Sequence, residues 1–181
     1  MLFRSLTGFY TALHNFCAVD LSAFYFDIRK DALYCDRPDS PRRRACRAVL
    51  DWVFHCLVTW LAPVLCFTAE EAWLARFPGE DQSVHLQLFP QLPTVWRDEA
   101  LAARWVKVRD LRRVVTGAIE LARADKKIGS SLQAAPEVFA EAEYLEAIKG
   151  LDAPEIWITS GATLRPDRKS TRLNSSHGYI S

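Results

Sequence analysis

Glycine is scarce in this sequence, with seven residues among 181. A fold built from short strands and many tight turns needs more glycine, so the scarcity favours helices. Cysteines are few and lack a binding pattern, because they are odd in number and form no CxxC pair. This argues against a disulfide framework or a zinc site and is typical of small core residues in a reducing compartment. The five cysteines are Cys17, Cys35, Cys46, Cys56 and Cys66.

Features that mark several other protein classes are also missing. The nearest candidate for a membrane span, Val49 to Phe67, is broken by Asp51, His55 and Pro63, so it predicts a buried helix. The start MLFRSLTGFY has no long apolar run and no cleavage site, and it predicts no signal peptide. No P-loop, GxSxG or Rossmann glycine pattern is present, and the four histidines lack metal-binding spacing. We therefore expect no membrane association, no metal, no cofactor and no catalytic residue in this chain.

The overall charge gives no argument for a nucleic-acid partner. The formal net charge is +1, and without the stretch from Arg165 to Ser181, which holds four basic residues and one acid, it falls to −2. Any such argument must therefore rest on local basic patches.

Both ends of the sequence differ in character from the rest. The tail DRKSTRLNSSHGYIS, from Asp167, has no apolar periodicity, which is typical of disorder. It also resembles the conceptual translation of a common short-read sequencing adapter, and the start MLFRS resembles the opposite adapter. We therefore expect residues 1–5 and 167–181 to be non-native, with a disordered tail, and exclude them from fold reasoning.

Helical periodicity runs through the first two thirds of the sequence. We predict a helix from Ser5 to Val19 and a second one capped by Asp20. Ser40 followed by Pro41 begins a long third helix, which Pro63 kinks or ends. Thr68 and Glu71 form a capping box that opens a short helix through Arg76. The predicted inward stripe of the third helix is Ala45, Val49, Val53, Leu57 and Leu61.

The sequence from Val84 onwards predicts a long helix followed by a small mixed module. Val84 to Leu88 is strand-like, and a helix from about Asp98 to Lys127 ends with Gly129 as a left-handed cap. Short strands are expected at Val138-Phe139 and Glu155 to Thr159, around a helix from about Ala140 to Lys149. The fold class predicted is mainly α, a helical bundle with a truncated small α+β appendage at its C-terminal end. The buried face predicted for the long helix is Leu101, Trp105, Val108, Leu111, Val115, Ile119 and Ala122.

Basic residues gather at the start of the third helix. Arginines in a first helical turn oppose the helix dipole and repel one another, so this run needs a reason. One interpretation is contact with RNA phosphates. The other is a solvated helix start paired with Asp31, Asp36 and Asp39, and the sequence does not decide between them. The residues are Arg42, Arg43, Arg44 and Arg47, and we add Arg29 and Lys30 as candidates.

A second basic patch follows the outward arc of the long helix. Exposed aromatic side chains such as Tyr25 or Trp96 are candidates for stacking on unpaired bases, although most aromatics fall on inward stripes. The candidate RNA-binding residues of this patch are Lys107, Arg109, Arg112, Arg113, Arg123, Lys126 and Lys127.

Several blocks resemble one family, the isoleucyl-tRNA synthetases, in their helical anticodon-binding region. They are HNFCAVDLSAFYFDIRKDALYCD (14–36), RRACRAVLDWVFHCLVTWLAPVLCFTAEEAW (43–73), SVHLQLFP (83–90) and IELARADKKIGSSLQA (119–134). The enzymes for valine, leucine and methionine share this bundle, while the DLSAFYFDIRKD and IGSSL blocks favour the isoleucine branch. The resemblance divides the chain into a bundle over residues 6–128 and the start of an α+β module over 129–166.

The resemblance implies an RNA-binding fragment of a class I ligase. The partners implied are an isoleucine-accepting tRNA and the catalytic domain of the same polypeptide, which would hold ATP and Mg. This chain alone is expected to be inactive as a ligase, monomeric and cytoplasmic. The alternative is a structural or protein-interaction bundle with no RNA affinity.

Overall fold

A computed structural model describes residues 6–79 and 81–167 of the chain. It divides into two compact units, the first ending at Trp96 and the second beginning at Arg97. The predicted non-native start and all but the first residue of the predicted tail lie outside the described residues. The predicted mainly α fold with a small α+β part is confirmed.

The first unit begins with one continuous helical segment. Helix α1 spans Leu6–Asn15, π-helical turns span Phe16–Phe26, and α2 spans Asp27–Tyr34. The predicted break with a cap at Asp20 is wrong, because backbone hydrogen bonds continue through this residue in the wider π register. Leu21, Ile28 and Ala32 are the buried residues of the segment.

Helix α3 spans Pro41–Leu61 and α4 spans Cys66–Arg76. The start of α3 is confirmed, since Ser40 is its N-cap and its hydroxyl accepts a bond from the backbone N–H of Arg43. The predicted end before Pro63 is also confirmed. Helix α4 begins two residues before the predicted Thr68, so the predicted capping box is wrong.

In the first unit, the prediction of the inward stripe of α3 is wrong. Val49 is exposed and Leu57 only half-buried, whereas Cys46, Cys56 and Thr59 are buried. Helix α3 packs against α2 and α4. A small core joins Trp73 of α4 to Ala62, Ala69 and Val84, with Phe54 and Val58 packed against it.

Two 3-10 turns, Val84–Leu86 and Thr94–Trp96, complete the first unit. The strand predicted at Val84 to Leu88 is therefore wrong. The carboxylate of Glu70 on α4 accepts bonds from the Ser83 hydroxyl at 3.1 Å and the Val84 backbone N–H at 2.8 Å. These bonds curl the segment against α4 and satisfy donors that a sheet would otherwise use.

The second unit contains one long helix, two short helices and a small parallel sheet. Helix α5 spans Glu99–Ala124, strand β1 Glu137–Ala140, α6 Ala142–Ile148, α7 Ala153–Trp157 and β2 Thr163–Pro166. The strands pair in parallel from Glu137 opposite Thr163 to Ala140 opposite Pro166. The core combines most of the predicted α5 face with residues of the sheet and short helices, but the prediction is wrong for Leu101, which is exposed. The buried members of this core on α5 are Val108, Leu111, Val115 and Ile119.

The packing places α5 differently from the sequence prediction. Its neighbours are α6 and α7, so this helix belongs to the same compact unit as the α+β module. The predicted sequence boundary after residue 128 stays a prediction, while the compact units divide earlier, after Trp96.

Two local predictions in the second unit are wrong. The strand predicted at Glu155 to Thr159 is helix α7, because the Asp152 side chain caps it and Pro154 lies in its first turn. The left-handed residue after α5 is Lys126, with φ 58°, and not Gly129. No helix of the described residues is both long and apolar enough to cross a membrane.

Replacing Trp157 tests the core of the second unit. This side chain is 1% exposed, and Trp157→Ala should lower the free energy of unfolding by about 3–5 kcal/mol through lost burial and a cavity. The matched control is Leu132→Ala in the same unit. Leu132 is 62% exposed, so this substitution should change the free energy of unfolding by less than about 0.5 kcal/mol. Urea unfolding followed by circular dichroism measures both, and equal effects would contradict the assigned core.

Candidate nucleic-acid interface

The turn between α2 and α3 engages two of the predicted arginines. The Arg42 guanidinium donates from Nε to Asp36 Oδ2 at 2.9 Å and from Nη2 to Oδ1 at 3.0 Å. Arg43 donates from Nη1 to the backbone carbonyl of Asp36 at 2.7 Å. The bonds from Arg42, then the hydroxyl of Ser40 and the charges of Arg42 and Arg43, hold the pKa of the Asp36 carboxyl below its ordinary value. For Arg42 the pairing with Asp36 that the sequence left open is therefore the observed one.

Arg44 and Arg47 differ from their two neighbours. Both are exposed, and neither side chain forms an ion pair or hydrogen bond with a residue that the structure describes. Their spacing of three residues places them side by side on one face of α3. Two adjacent solvent-facing guanidinium groups can each donate two parallel bonds to a phosphate.

The candidates on α2 are less available. Lys30 Nζ lies 2.7 Å from Asp27 Oδ1, one turn earlier on the same helix. Arg29 is half-buried and its charge acts on the neighbouring Tyr25. The assignment of both residues to RNA contact stays a prediction.

The candidates along the first half of α5 contact the C-terminal module. Lys107 pairs with Glu143 of α6 at 2.7 Å, and Arg112 donates to the backbone carbonyl of Ile156 in α7. Lys107, Arg109 and Arg112 are half-buried, so the predicted outward arc is only partly exposed. Arg113 is exposed but pairs with Asp110 at 3.0 Å. Within this group Lys107 and Arg112 join α5 to the short helices, and RNA contact by any of the four residues stays a prediction.

The candidates at the end of α5 surround a concavity of about 560 Å³. Arg123 pairs with Glu120 at 2.8 Å, and Lys127 pairs with Asp125 at 3.2 Å. Lys126 has no ion pair or side-chain hydrogen bond within residues 6–79 and 81–167. One free cation therefore lies between two paired ones.

Arg104 was not among the predicted residues, yet it has a defined role in the second unit. Its Nε donates to the backbone carbonyl of Ala147 at 2.7 Å and its Nη2 to that of Lys149 at 2.6 Å. These carbonyls end α6, so Arg104 caps a helix more than 40 positions away in sequence. No local pattern signals such a long-range bond.

Two aromatic residues were candidates for base stacking, and they have different environments. Tyr25, in the π-helical turns, is half-buried beside Cys46 of α3, so its ring is part of the packing inside the first unit. Trp96 is 56% exposed and stands edge-on to Trp52, with ring centroids 5.1 Å apart. Of the two, Trp96 is the more exposed.

The buried hydroxyl of Tyr25 yields a pH prediction. Desolvation by burial, followed by the adjacent Cys46, raises the pKa of Tyr25 to about 12. In the unfolded chain the phenol loses its proton near pH 10, so the stabilisation is complete below about pH 10 and disappears as the pH rises towards 12. Carbon-13 NMR of the tyrosine Cζ atoms, assigned with Tyr25→Phe, measures this titration.

Cys46→Ala should lower the pKa of Tyr25 without restoring the ordinary value, because burial remains its larger cause. Cys17→Ala, at a half-buried position of the same unit, is the control and should leave the titration in place. A Tyr25 that titrates near pH 10 in the folded wild type contradicts the assigned contact.

Comparison with known proteins supplies the family. The family model described as the anticodon-binding domain of tRNA ligase matches residues 5–139. The isoleucine–tRNA ligase of Agrobacterium fabrum is 56% identical over 157 residues, which cover 86% of this chain and 16% of that protein. The corresponding protein of Mesorhizobium japonicum is 59% identical over 150 residues, which cover 82% of this chain and 15% of that protein.

The match to the family model includes α1 to α5 and most of β1, and therefore Arg44, Arg47 and Lys126. The chain spans about 16% of the length of the curated relatives that it matches. It belongs to the anticodon-binding domain family of tRNA ligases.

Proposed function

We propose that this chain binds the anticodon stem and loop of an isoleucine-accepting tRNA as part of an isoleucine–tRNA ligase. The observation that carries the proposal is the pair of free arginines, Arg44 and Arg47, on α3 of a chain from this family. Phosphate contacts supply most of the sequence-independent affinity of a protein for nucleic acid, and arginine is well suited to them.

The geometry around α3 suits such contacts. Asp36 binds Arg42 and Arg43. These bonds partly neutralise the positive charge at the start of α3 and fix the turn that precedes this helix. Arg44 and Arg47 lie beyond this turn, on the first two turns of a helix of 21 residues. Because they are on a rigid element, binding RNA orders only two side chains and little backbone.

The remaining functions of the enzyme belong to other parts of the polypeptide in this proposal. A catalytic domain would bind ATP and Mg and activate isoleucine, while this chain would hold the far end of the tRNA. Binding energy gained at the anticodon is then used to orient the acceptor end at a remote active site. We place the protein in the cytoplasm as a monomer and expect the chain alone to bind RNA without ligase activity.

A second candidate function is a protein-interaction bundle without RNA affinity. It is favoured by an apolar groove of about 390 Å³ along α3, lined in part by Trp52, Trp60 and Trp96. Such a groove buries apolar surface well and contributes little to phosphate recognition. The salt dependence of RNA binding separates the two candidates, since only a protein that neutralises phosphates releases counterions on binding.

Removing the free arginines should weaken RNA binding. We expect Arg44→Ala with Arg47→Ala to lower affinity for an anticodon stem-loop by about tenfold or more at 50 mM salt. The slope of log affinity against log salt should become shallower by about 1 for each arginine that contacts a phosphate. Fluorescence anisotropy between about 50 and 200 mM salt measures both quantities.

The matched control is Arg76→Ala, which removes an exposed arginine of the same unit that is paired with Asp51 at 3.0 Å. It should leave the salt slope unchanged. If the double variant also binds like the wild type, Arg44 and Arg47 make no phosphate contact and the proposal loses its support.

A further inference from the structure

The backbone at the end of α5 adopts a conformation that favours a different residue. Lys126 has φ 58°, in the left-handed region that lysine rarely occupies. The backbone N–H of Lys127 donates to the carbonyl of Ala122 at 2.9 Å, and that of Lys126 to the carbonyl of Arg123 at 3.0 Å. This pair of bonds is a Schellman motif, in which the left-handed position is usually glycine.

The side chain of Lys126 gives no structural reason for lysine at this position. It is exposed and has no ion pair or side-chain hydrogen bond among the residues that the structure describes. A glycine would make the same backbone bonds with less strain. Strain of this kind is found where a side chain serves a function, so the outlier points to a ligand for the ammonium group.

The surroundings of Lys126 specify an anion. Arg123 and Lys127 line the same concavity of about 560 Å³, and Glu120 is its only acidic lining residue among those described. The ion pairs of Arg123 and Lys127 are exposed to solvent, and such pairs are weak enough to be exchanged for a stronger anionic partner. Three cations that converge on an open concavity suit the phosphate of a nucleic-acid backbone.

We propose that the concavity at the end of α5 is a second phosphate-binding site for the RNA, with Lys126 as its central contact. The inference rests on the proposed function and adds a contact in the second unit to those of Arg44 and Arg47 in the first. Lysine is retained at a position that favours glycine because its ammonium group neutralises a phosphate. Stability and RNA affinity therefore oppose each other at this residue.

A helix dipole offers a competing explanation, since a cation near a helix C-terminus stabilises the helix. The two explanations predict opposite changes in thermal stability. If Lys126 served the dipole, Lys126→Gly would lower the melting temperature or leave it in place. If the lysine is retained for binding, the same substitution raises the melting temperature by relieving the strained backbone.

The experiment measures melting temperature and affinity for the anticodon stem-loop in three variants of the full chain. Lys126→Gly should raise the melting temperature by about 2–4 °C while lowering affinity by about fivefold and the salt slope by about 1. Lys126→Ala should lower affinity equally without raising the melting temperature, because alanine keeps the Cβ strain. Lys149→Ala removes a cation elsewhere in the second unit and should leave affinity within about twofold.

Wild-type affinity in Lys126→Gly overturns this inference, as does an unchanged or lower melting temperature in that variant. If Arg44→Ala with Arg47→Ala lowers affinity and Lys126→Gly does not, only the second site is wrong. If neither the double arginine variant nor Lys126→Gly lowers affinity, the proposed function fails together with the second site. Titration with inorganic phosphate is a further arm, and a site that binds free phosphate through Lys126 without affecting RNA affinity contradicts the assignment to an RNA backbone.

Discussion

Asp36 connects the end of α2 to the start of α3 and thereby decides which arginines are free. Its carboxylate accepts two bonds from Arg42, its backbone carbonyl accepts one from Arg43, and the Ser40 hydroxyl lies 3.1 Å from its Oδ2. Four arginines at a helix start oppose the helix dipole, and this arrangement compensates two of them. The other two, Arg44 and Arg47, keep their full donor capacity for a ligand on a turn that is already fixed.

The second unit uses its charged residues mainly to hold itself together. Arg104 ends α6, Arg112 donates to a carbonyl of α7, and Lys107 pairs with Glu143. These long side chains join α5 to the short helices around a core that contains the fully buried Trp157. The basic residues of one helix thus have two roles, because its first half contacts protein and its end surrounds an open concavity.

Local sequence signals predicted the secondary-structure elements well. Contacts between residues that are distant in the sequence decided the remaining features of the fold. Ser40 and Pro41 mark the start of α3 by chemistry that acts within four residues, so that start was predicted correctly. Apolar spacing on α3 shows that the helix is amphipathic but not which arc its neighbours cover, and the buried arc contains Cys46 and Thr59 instead. Pairing across a turn, as between Arg42 and Asp36, likewise needs coordinates. No sequence signal identified Lys126 as the left-handed residue, since Gly129 is the better local candidate.

The central claim is that the arginines left free by Asp36 carry the contact with RNA phosphates. NMR of the arginine Nε–Hε resonances during titration with an anticodon stem-loop tests it most directly. The resonances of Arg44 and Arg47 should move in proportion to the bound fraction, while those of Arg42 and Arg43 stay in place. Movement confined to Arg42 and Arg43, or none at Arg44 and Arg47 when the RNA is bound, would contradict the claim.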